Sequence, residues 1–462
     1  MNATAPEPLI SELRRLLGDR LSTSPAVRDL HAHGEGLRDP FPPDAVVFAQ
    51  STEDVAAVVA RCNAARVPVV PFGVGTSLEG HVQARHGGIC IDLSRMDQVL
   101  EVNADDLDCR VQAGVTREQL NSHLRDRGLF FPVDPGANAT LGGMASTRAS
   151  GTTTVRYGAM RELTLGLTVV TPSGEIIRTG GRARKSAAGY DLTRLYVGAE
   201  GTLGVITELQ LRLFGIPEAT VAAVCQFETL EGAVAAVTLA MQSGLPMARI
   251  ELADALQMRA CIAYGGLQGF EEKPTLFLEF HGTEAGVAET AALMEAITAD
   301  FGGGGYRWAR RPEERSALWK ARHSAYFAAM ALSPGRHAMA TDACVPISRL
   351  AQCIAETRAD AEASGLICPI VGHVGDGNFH MTMLFDPTDT DERDAAEVLV
   401  AAIARRAIRL GGTCTGEHGV GVHKLPFMAE EHGPALDVMR AIKAALDPVG
   451  IMNPGKTLPP QV

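Results

Sequence analysis

The spacing of apolar residues changes from one stretch of the chain to the next. Ser51 and Asp54 have the spacing of a helix-opening pair, and Val55, Val58, Val59 and Cys62 then fall on one helical face. Val67–Pro71 is a continuous apolar run that predicts a buried strand, and Ile89–Leu93 and Cys109–Ala113 read as further strands. Thr116 and Gln119 predict the cap of a helix bearing Leu120 and Leu124, which Gly128 ends. Leu167–Thr171, Pro172-Ser173-Gly174 and Glu175–Arg178 predict a hairpin. Beyond Gly215 a strand–helix order appears twice. Strand Thr220–Gln226, helix Leu230–Met241 and strand Ala248–Leu252 come first, followed by strand Thr275–Phe280 and helix Ala285–Ile297. Two such units predict a ferredoxin-like α+β layer. A helix is predicted over Glu313–Met330, and another from Pro434 with Leu436, Met439, Ile442 and Leu446.

Composition narrows the class. The chain has 462 residues, 46% of them hydrophobic and 21% charged, which fits a folded protein with large cores rather than a disordered one. Its formal net charge of -12 argues against nucleic acid as the main partner. No apolar run reaches the roughly 18 residues that a spanning helix needs. Met1–Ile10 lacks a basic segment followed by an apolar one, and Glu7 and Glu12 argue against a transit peptide. The nine cysteines have no CxxC spacing, so buried free thiols in a reducing compartment are expected. The localisation read from these features is cytoplasmic, with peripheral attachment to the inner membrane as the variant.

Glycine is clustered. Pro71-Phe72-Gly73-Val74-Gly75-Thr76-Ser77 follows a predicted strand, and backbone amides freed of side chains can converge on phosphate. The third glycine of a dinucleotide fingerprint would fall at Leu78, and no Lys-Ser/Thr follows for a P-loop, so both standard motifs are excluded. Taken alone, the loop reads equally well as a tight turn. Three more clusters follow, at Pro135–Met144, Ala149–Gly158 and Gly198–Thr207. Several glycine and hydroxyl loops together suit a long cofactor held by backbone.

The runs PFGVGTSLEGH, PVDPGANATLGGMASTRASGTTTVRYG and KSAAGYDLTRLYVGAEGTLGVIT resemble FAD-linked oxidases of the vanillyl-alcohol-oxidase type, with similarity from about Asp44 to Lys456. The resemblance implies an α+β fold. A two-subdomain FAD-binding domain would occupy 1–215. A ferredoxin-like substrate (cap) domain carrying a metal hairpin would occupy 216–410, and a C-terminal segment, 411–462, would return to the flavin. It implies noncovalent FAD on Pro71, Phe72, Gly73, Val74, Gly75, Thr76, Ser77, Pro135, Gly136, Thr140, Gly142, Gly143, Ser146, Ser150, Gly151, Gly158, Glu200, Gly201, Gly204, Val205, Ile206 and Asn453. Asn453-Pro454-Gly455-Lys456 resembles the family's closing motif. Some members of the superfamily link flavin to a histidine, and His81 is the residue here for which that question arises.

In Gly372-His373-Val374-Gly375-Asp376-Gly377-Asn378-Phe379-His380, an Asp-Gly turn at 376–377 would place His373 directly opposite His380. Opposed residues have Cβ atoms ~4.5–5.5 Å apart, close enough for two imidazoles to chelate one cation, or simply to form a cross-strand histidine pair. Glu417 in Gly416-Glu417-His418-Gly419 is the candidate third ligand. HVGDGNFH and GTCTGEHGVG resemble the C-terminal half of FAD-dependent D-2-hydroxy-acid dehydrogenases. That resemblance implies a divalent metal, zinc or manganese, on His373, His380 and Glu417.

A 2-hydroxy acid needs a cation for its carboxylate. Arg322 in Leu318-Trp319-Lys320-Ala321-Arg322 matches a substrate-binding arginine of that group. His418 is the candidate general base, since an imidazole ordinarily titrates at about 6.5; a metal-ligand role is the other reading. RHAMATDACVPISRL, with TCTGEHG, looks most like the cytochrome-type D-lactate dehydrogenase branch. The implied reaction is oxidation of D-lactate, or a similar small D-2-hydroxy acid, by hydride transfer to flavin N5. Alternatives are a D-2-hydroxyglutarate or glycolate dehydrogenase (or oxidase subunit) and, from another class, a non-catalytic flavin-binding subunit. The electron acceptor would be a separate cytochrome, quinone or electron-transfer flavoprotein. A homodimer is the base-rate expectation.

Overall fold

A computed structural model of the chain describes residues 5–36 and 39–460, so the first four residues of the N-terminal stretch read for a leader lie outside it. The chain forms two compact units. The first comprises Met1–Ser150, Gly158–Ile216 and Glu417–Val462, and the second Gly151–Tyr157 and Pro217–Gly416.

The first unit holds two sheets. Ala45–Phe48, Ile89–Asp92 and Val69–Phe72 run parallel, with Leu21–Ser22 antiparallel at one edge. The parallel strands are almost wholly buried, as expected of a sheet covered on both faces. Helix Thr52–Ala65 begins where the Ser51 side chain accepts from Asp54 N–H, and it buries Val55, Val58, Val59 and Cys62. Val67 N–H bonds back to Cys62 O in the helix's closing turn, so the following strand starts at Val69 rather than Val67. The second sheet is antiparallel, in the order Val99–Asn103, Asp108–Gln112, Val205–Arg212, Thr164–Val170, Ile176–Gly180. Its last pair is the expected hairpin, with Val170 opposite Ile176. The Thr116–Gln119 capping box is formed in both directions.

In the second unit the four strands that follow Ile216 lie in the order Gly303–Ala309, Ala219–Phe227, Thr275–Gly282, Met247–Ala253, all antiparallel. This is the 4-1-3-2 order of a ferredoxin-like layer, and helices Leu230–Gln242 and Glu284–Asp300 are its crossovers. The sheet continues through Ile370–Gly372, Asn378–Phe385 and His337–Ala340. The histidine hairpin is therefore part of the same sheet, beside Met247–Ala253. The helix expected over Glu313–Met330 is two helices, Pro312–His323 and Ala325–Ala331, separated at Ser324.

Candidate functional site

The PFGVGTS loop leaves the C-terminal end of the parallel Val69–Phe72 strand, the edge at which open α/β sheets present ligands. A Cβ on Gly73 would lie 2.3 Å from Thr140 Oγ1, so this loop and the TLGG turn meet backbone to side chain. Gly75 has φ +73. Val74 is exposed, Gly136 faces open space, and Ser77 Oγ is buried with no hydrogen-bond partner. A cradle without side chains and an orphaned hydroxyl fit a phosphate-bearing cofactor. Other glycines of the set are packing residues. A Cβ on Gly142 would meet Ala113 at 2.6 Å, one on Gly201 would meet Pro71 at 2.9 Å, and one on Gly204 would meet Val170 O at 2.7 Å.

Glu200 and Asn453, both expected at the cofactor, tie the C-terminal segment to the first unit. Glu200 is buried and accepts from Val420 N–H at 2.6 Å, Gly421 N–H at 2.9 Å and Thr457 Oγ1 at 2.9 Å. Asn453 Nδ2 donates to Glu200 O at 2.7 Å and His81 O at 3.1 Å. Ile451 and Asn453 bond to both backbone groups of Val69, so the segment extends the parallel sheet. His81 Nε2 lies 3.4 Å from Glu200 Oε1 inside this knot. Burial opposes ionisation of Glu200, but His81 and the hydrogen bonds outweigh it and hold the carboxyl below its ordinary range.

Ser150 Oγ donates to Glu417 Oε2 at 2.5 Å. His418 Nδ1 lies 3.5 Å from Glu79 Oε1, and the same buried carboxylate has Lys424 Nζ at 3.3 Å and His423 Nδ1 at 3.4 Å. Burial pushes Glu79 up, but Lys424 and the two imidazoles prevail and hold it well below the usual carboxylate range. Glu79 is thus an anion facing the Nδ1 edge of His418.

In the second unit the hairpin register differs from the expected one. Val371, not His373, is opposite His380. His373 O accepts from both Asp376 N–H and Asn378 N–H, which makes a wider turn than Asp-Gly alone. The two imidazoles still approach, with ring centroids 5.4 Å apart and planes at 82°. His373 Nδ1 lies 2.7 Å from Glu251 Oε1, and His380 Nδ1 lies 3.0 Å from Thr341 O. Since a carbonyl only accepts, His380 donates from Nδ1, and its neutral form carries the lone pair on Nε2. Arg322 is buried. Its Nη2 donates to Glu251 Oε2 at 2.6 Å, while its Nε has no hydrogen-bond partner.

The segment before Glu417 is fixed by Asp342. Asp342 Oδ1 accepts from Asn378 Nδ2 at 3.0 Å, Oδ2 accepts from Thr415 Oγ1 at 2.7 Å, and its carbonyl accepts from Gly416 N–H at 3.0 Å. Glu417 is the next residue in the chain. Sequence reasoning missed Glu79, Glu251 and Asp342. Their one signal was a charged residue within a largely apolar or glycine-rich run, as Glu251 is, with Arg249, in Met247–Ala253. Eight of the nine cysteines are buried and, among the described residues, none is in a disulfide; burial pushes the Cys62 and Cys109 thiols up to about 12. Among the described residues no helix is long and apolar enough to cross a membrane.

Two protein families match the chain: FAD binding domain over residues 43–180, and FAD linked oxidases, C-terminal domain, over residues 216–457. A Danio rerio protein named as a probable mitochondrial D-lactate dehydrogenase is 50% identical over 98% of this chain and 92% of its own. An Arabidopsis thaliana protein named mitochondrial D-lactate dehydrogenase (cytochrome) is 45% identical over 99% of this chain and 81% of its own. The solved structure of p-cresol methylhydroxylase with substrate bound superposes with a TM-score of 0.80 at 18% identity, covering 97% of this chain and 96% of that one, a likeness of fold. The mitochondrial names of these relatives differ from the cytoplasmic reading of the sequence.

Proposed function

The chain belongs to the FAD-linked oxidase family, beside relatives named D-lactate dehydrogenases, and from that premise we propose that it oxidises D-lactate, or a similarly small D-2-hydroxy acid, to the 2-oxo acid. FAD held noncovalently by the glycine loops would supply the hydride acceptor, its N5, for the substrate's C2 hydrogen. A divalent ion, zinc or manganese, held by His373, His380 and Glu417 would supply Lewis-acid chemistry at the substrate hydroxyl, worth roughly several kcal/mol.

The residues have separate tasks in this reading. Arg322 holds the substrate carboxylate through its unpartnered Nε, which sets the D face. His418, oriented by Glu79, takes the hydroxyl proton on Nε2. We assign His380 and Glu417 as ligands together with His373, whose ring lies beside His380. Both carboxylate oxygens of Asp342 already accept hydrogen bonds, which suits a residue that aims Glu417 by holding Thr415 and Gly416. In domain terms, 1–215 binds FAD, 216–410 binds substrate, and 411–462 completes both. A cytochrome is the proposed electron acceptor, after the names of the relatives.

The observation that carries the reading is the buried Arg322, whose Nε–H has no hydrogen-bond partner, beside a paired set of imidazoles. The test is anaerobic reduction of the bound flavin by D- and L-2-hydroxy acids, before and after chelation. D-lactate is expected to bleach the flavin, L-lactate to leave it oxidised, and chelation to abolish the D-lactate response. Bleaching that survives complete metal removal would overturn the metal assignment, and no bleaching by any D-2-hydroxy acid would overturn the reaction.

A further inference from the structure

We propose that Glu251 is a positioning residue that couples the substrate anchor to the metal-binding imidazole: one carboxylate orients Arg322 with one oxygen and sets the tautomer of His373 with the other. The inference rests on the function proposed above and deepens it. Glu251 is fully buried on Met247–Ala253, and Leu252, its neighbour, is opposite Gly372, so Glu251 borders the position at which His373 leaves the strand. Its Oε2 accepts from Arg322 Nη2 at 2.6 Å, and its Oε1 lies 2.7 Å from His373 Nδ1.

An ionised carboxylate only accepts, so His373 donates from Nδ1 and presents the lone pair of Nε2. This is the arrangement in which an outer carboxylate fixes a metal-ligating histidine. The same anion fixes the guanidinium plane and leaves Nε for a second carboxylate, that of the substrate. A counter-ion role for Arg322 alone would require only one of the two contacts.

Glu251→Gln separates these roles. Arg322 cannot accept, so the amide oxygen of Gln must face it, and the amide N–H then faces His373 Nδ1. That drives the imidazole to the Nε2–H tautomer and removes its lone pair from the site. The experiment uses full-length FAD-loaded protein, metal-free and labelled with [15N]histidine, with the His373 signal identified by its loss in His373→Ala. Wild type is expected to show Nδ1–H and Glu251→Gln to show Nε2–H. Mn²⁺ titration is expected to give a 10–100-fold weaker affinity in Glu251→Gln, with partial recovery in Glu251→Asp.

Nε2–H in the wild type would overturn the proposal, as would a Glu251→Gln protein with lower Tm but unchanged tautomer and Mn²⁺ affinity. If Glu251→Gln fails to retain FAD, the wild-type tautomer alone decides. Failure of D-lactate to reduce the wild-type flavin would overturn the reaction while leaving the tautomer result standing, so the two failures are distinguishable.

Discussion

Ser150 and Glu417 are 267 positions apart in sequence, yet Ser150 Oγ donates to Glu417 Oε2 at 2.5 Å. The hydroxyl ends a loop that resembles the flavin-holding loops of the family, and the carboxylate belongs to the motif assigned to the metal. That bond holds the orientation of the Glu417 carboxylate, the group proposed above as a metal ligand. Ser150→Ala is expected to weaken Mn²⁺ or Zn²⁺ binding about tenfold while FAD content stays at the wild-type level, since a hydrogen bond to a charged group contributes roughly 1.5–3 kcal/mol. Metal titration of the FAD-loaded variant checks it. An unchanged affinity would mean that Ser150 does not orient Glu417.

Arg322 and Glu251 are a buried ion pair, so the two obvious variants should behave differently. Arg322→Ala leaves a buried carboxylate without its cation, which typically costs about 3–5 kcal/mol and should lower Tm. Arg322→Lys keeps the charge but loses the planar fork that the proposed hold on a second carboxylate requires. It is expected to hold Tm within a few degrees and to raise KM for D-lactate at least about tenfold. Steady-state kinetics beside thermal unfolding decides. A Lys variant with wild-type KM would remove the anchor assignment.

Several strands and both crossover helices were legible because buried runs and 3.6-residue faces are local features, but Gly303–Ala309, the fourth strand of the ferredoxin-like layer, has no such run and was not read. Val55, Val58, Val59 and Cys62 bury as their spacing requires. The hairpin register was not legible. His373 O takes two N–H donors from the turn, which shifts the pairing to Val371 against His380, and Asp-Gly does not encode that. Glu251 was invisible for another reason. Its partners are 71 and 122 positions away: the pairing of Met247–Ala253 with Ile370–Gly372 brings His373 to it, and Arg322 comes from helix Pro312–His323. The glycine loops carried the cofactor class, yet their glycines divide in the structure between an open cradle at Gly73–Ser77 and tight packing at Gly142, Gly201 and Gly204.

Glu200 makes the fold acid-sensitive in a defined direction. Its carboxyl is held below the ordinary value in the folded chain, so its stabilising contribution is complete above the unfolded pKa of about 4.3 and is lost as pH falls through the lower folded value. Glu200→Gln removes that titration. It keeps shape and burial but weakens the bonds to Val420, Gly421 and Thr457. The variant is expected to have a lower Tm at pH 7 by a few degrees and a flatter loss of Tm between pH 5 and pH 3 than wild type. Equal acid slopes in the two proteins would show that Glu200 does not carry the effect.

His418 is where the ligand and base roles part experimentally. Its Nδ1 faces Glu79, a carboxylate kept ionised by Lys424 and two imidazoles against the effect of its own burial. If His418 is the base, His418→Asn should lower the rate of flavin reduction by D-lactate by about 10²–10⁴-fold, with metal content and substrate affinity near wild type. If it is a ligand, the same variant should lose metal first. Glu79→Gln should then give a smaller fall, on the order of tenfold, because a neutral acceptor still orients the imidazole but stabilises its cation less. Stopped-flow reduction, read beside metal analysis of the same samples, distinguishes the two roles. A His418→Asn protein that keeps its metal and reduces its flavin at the wild-type rate would leave neither role standing.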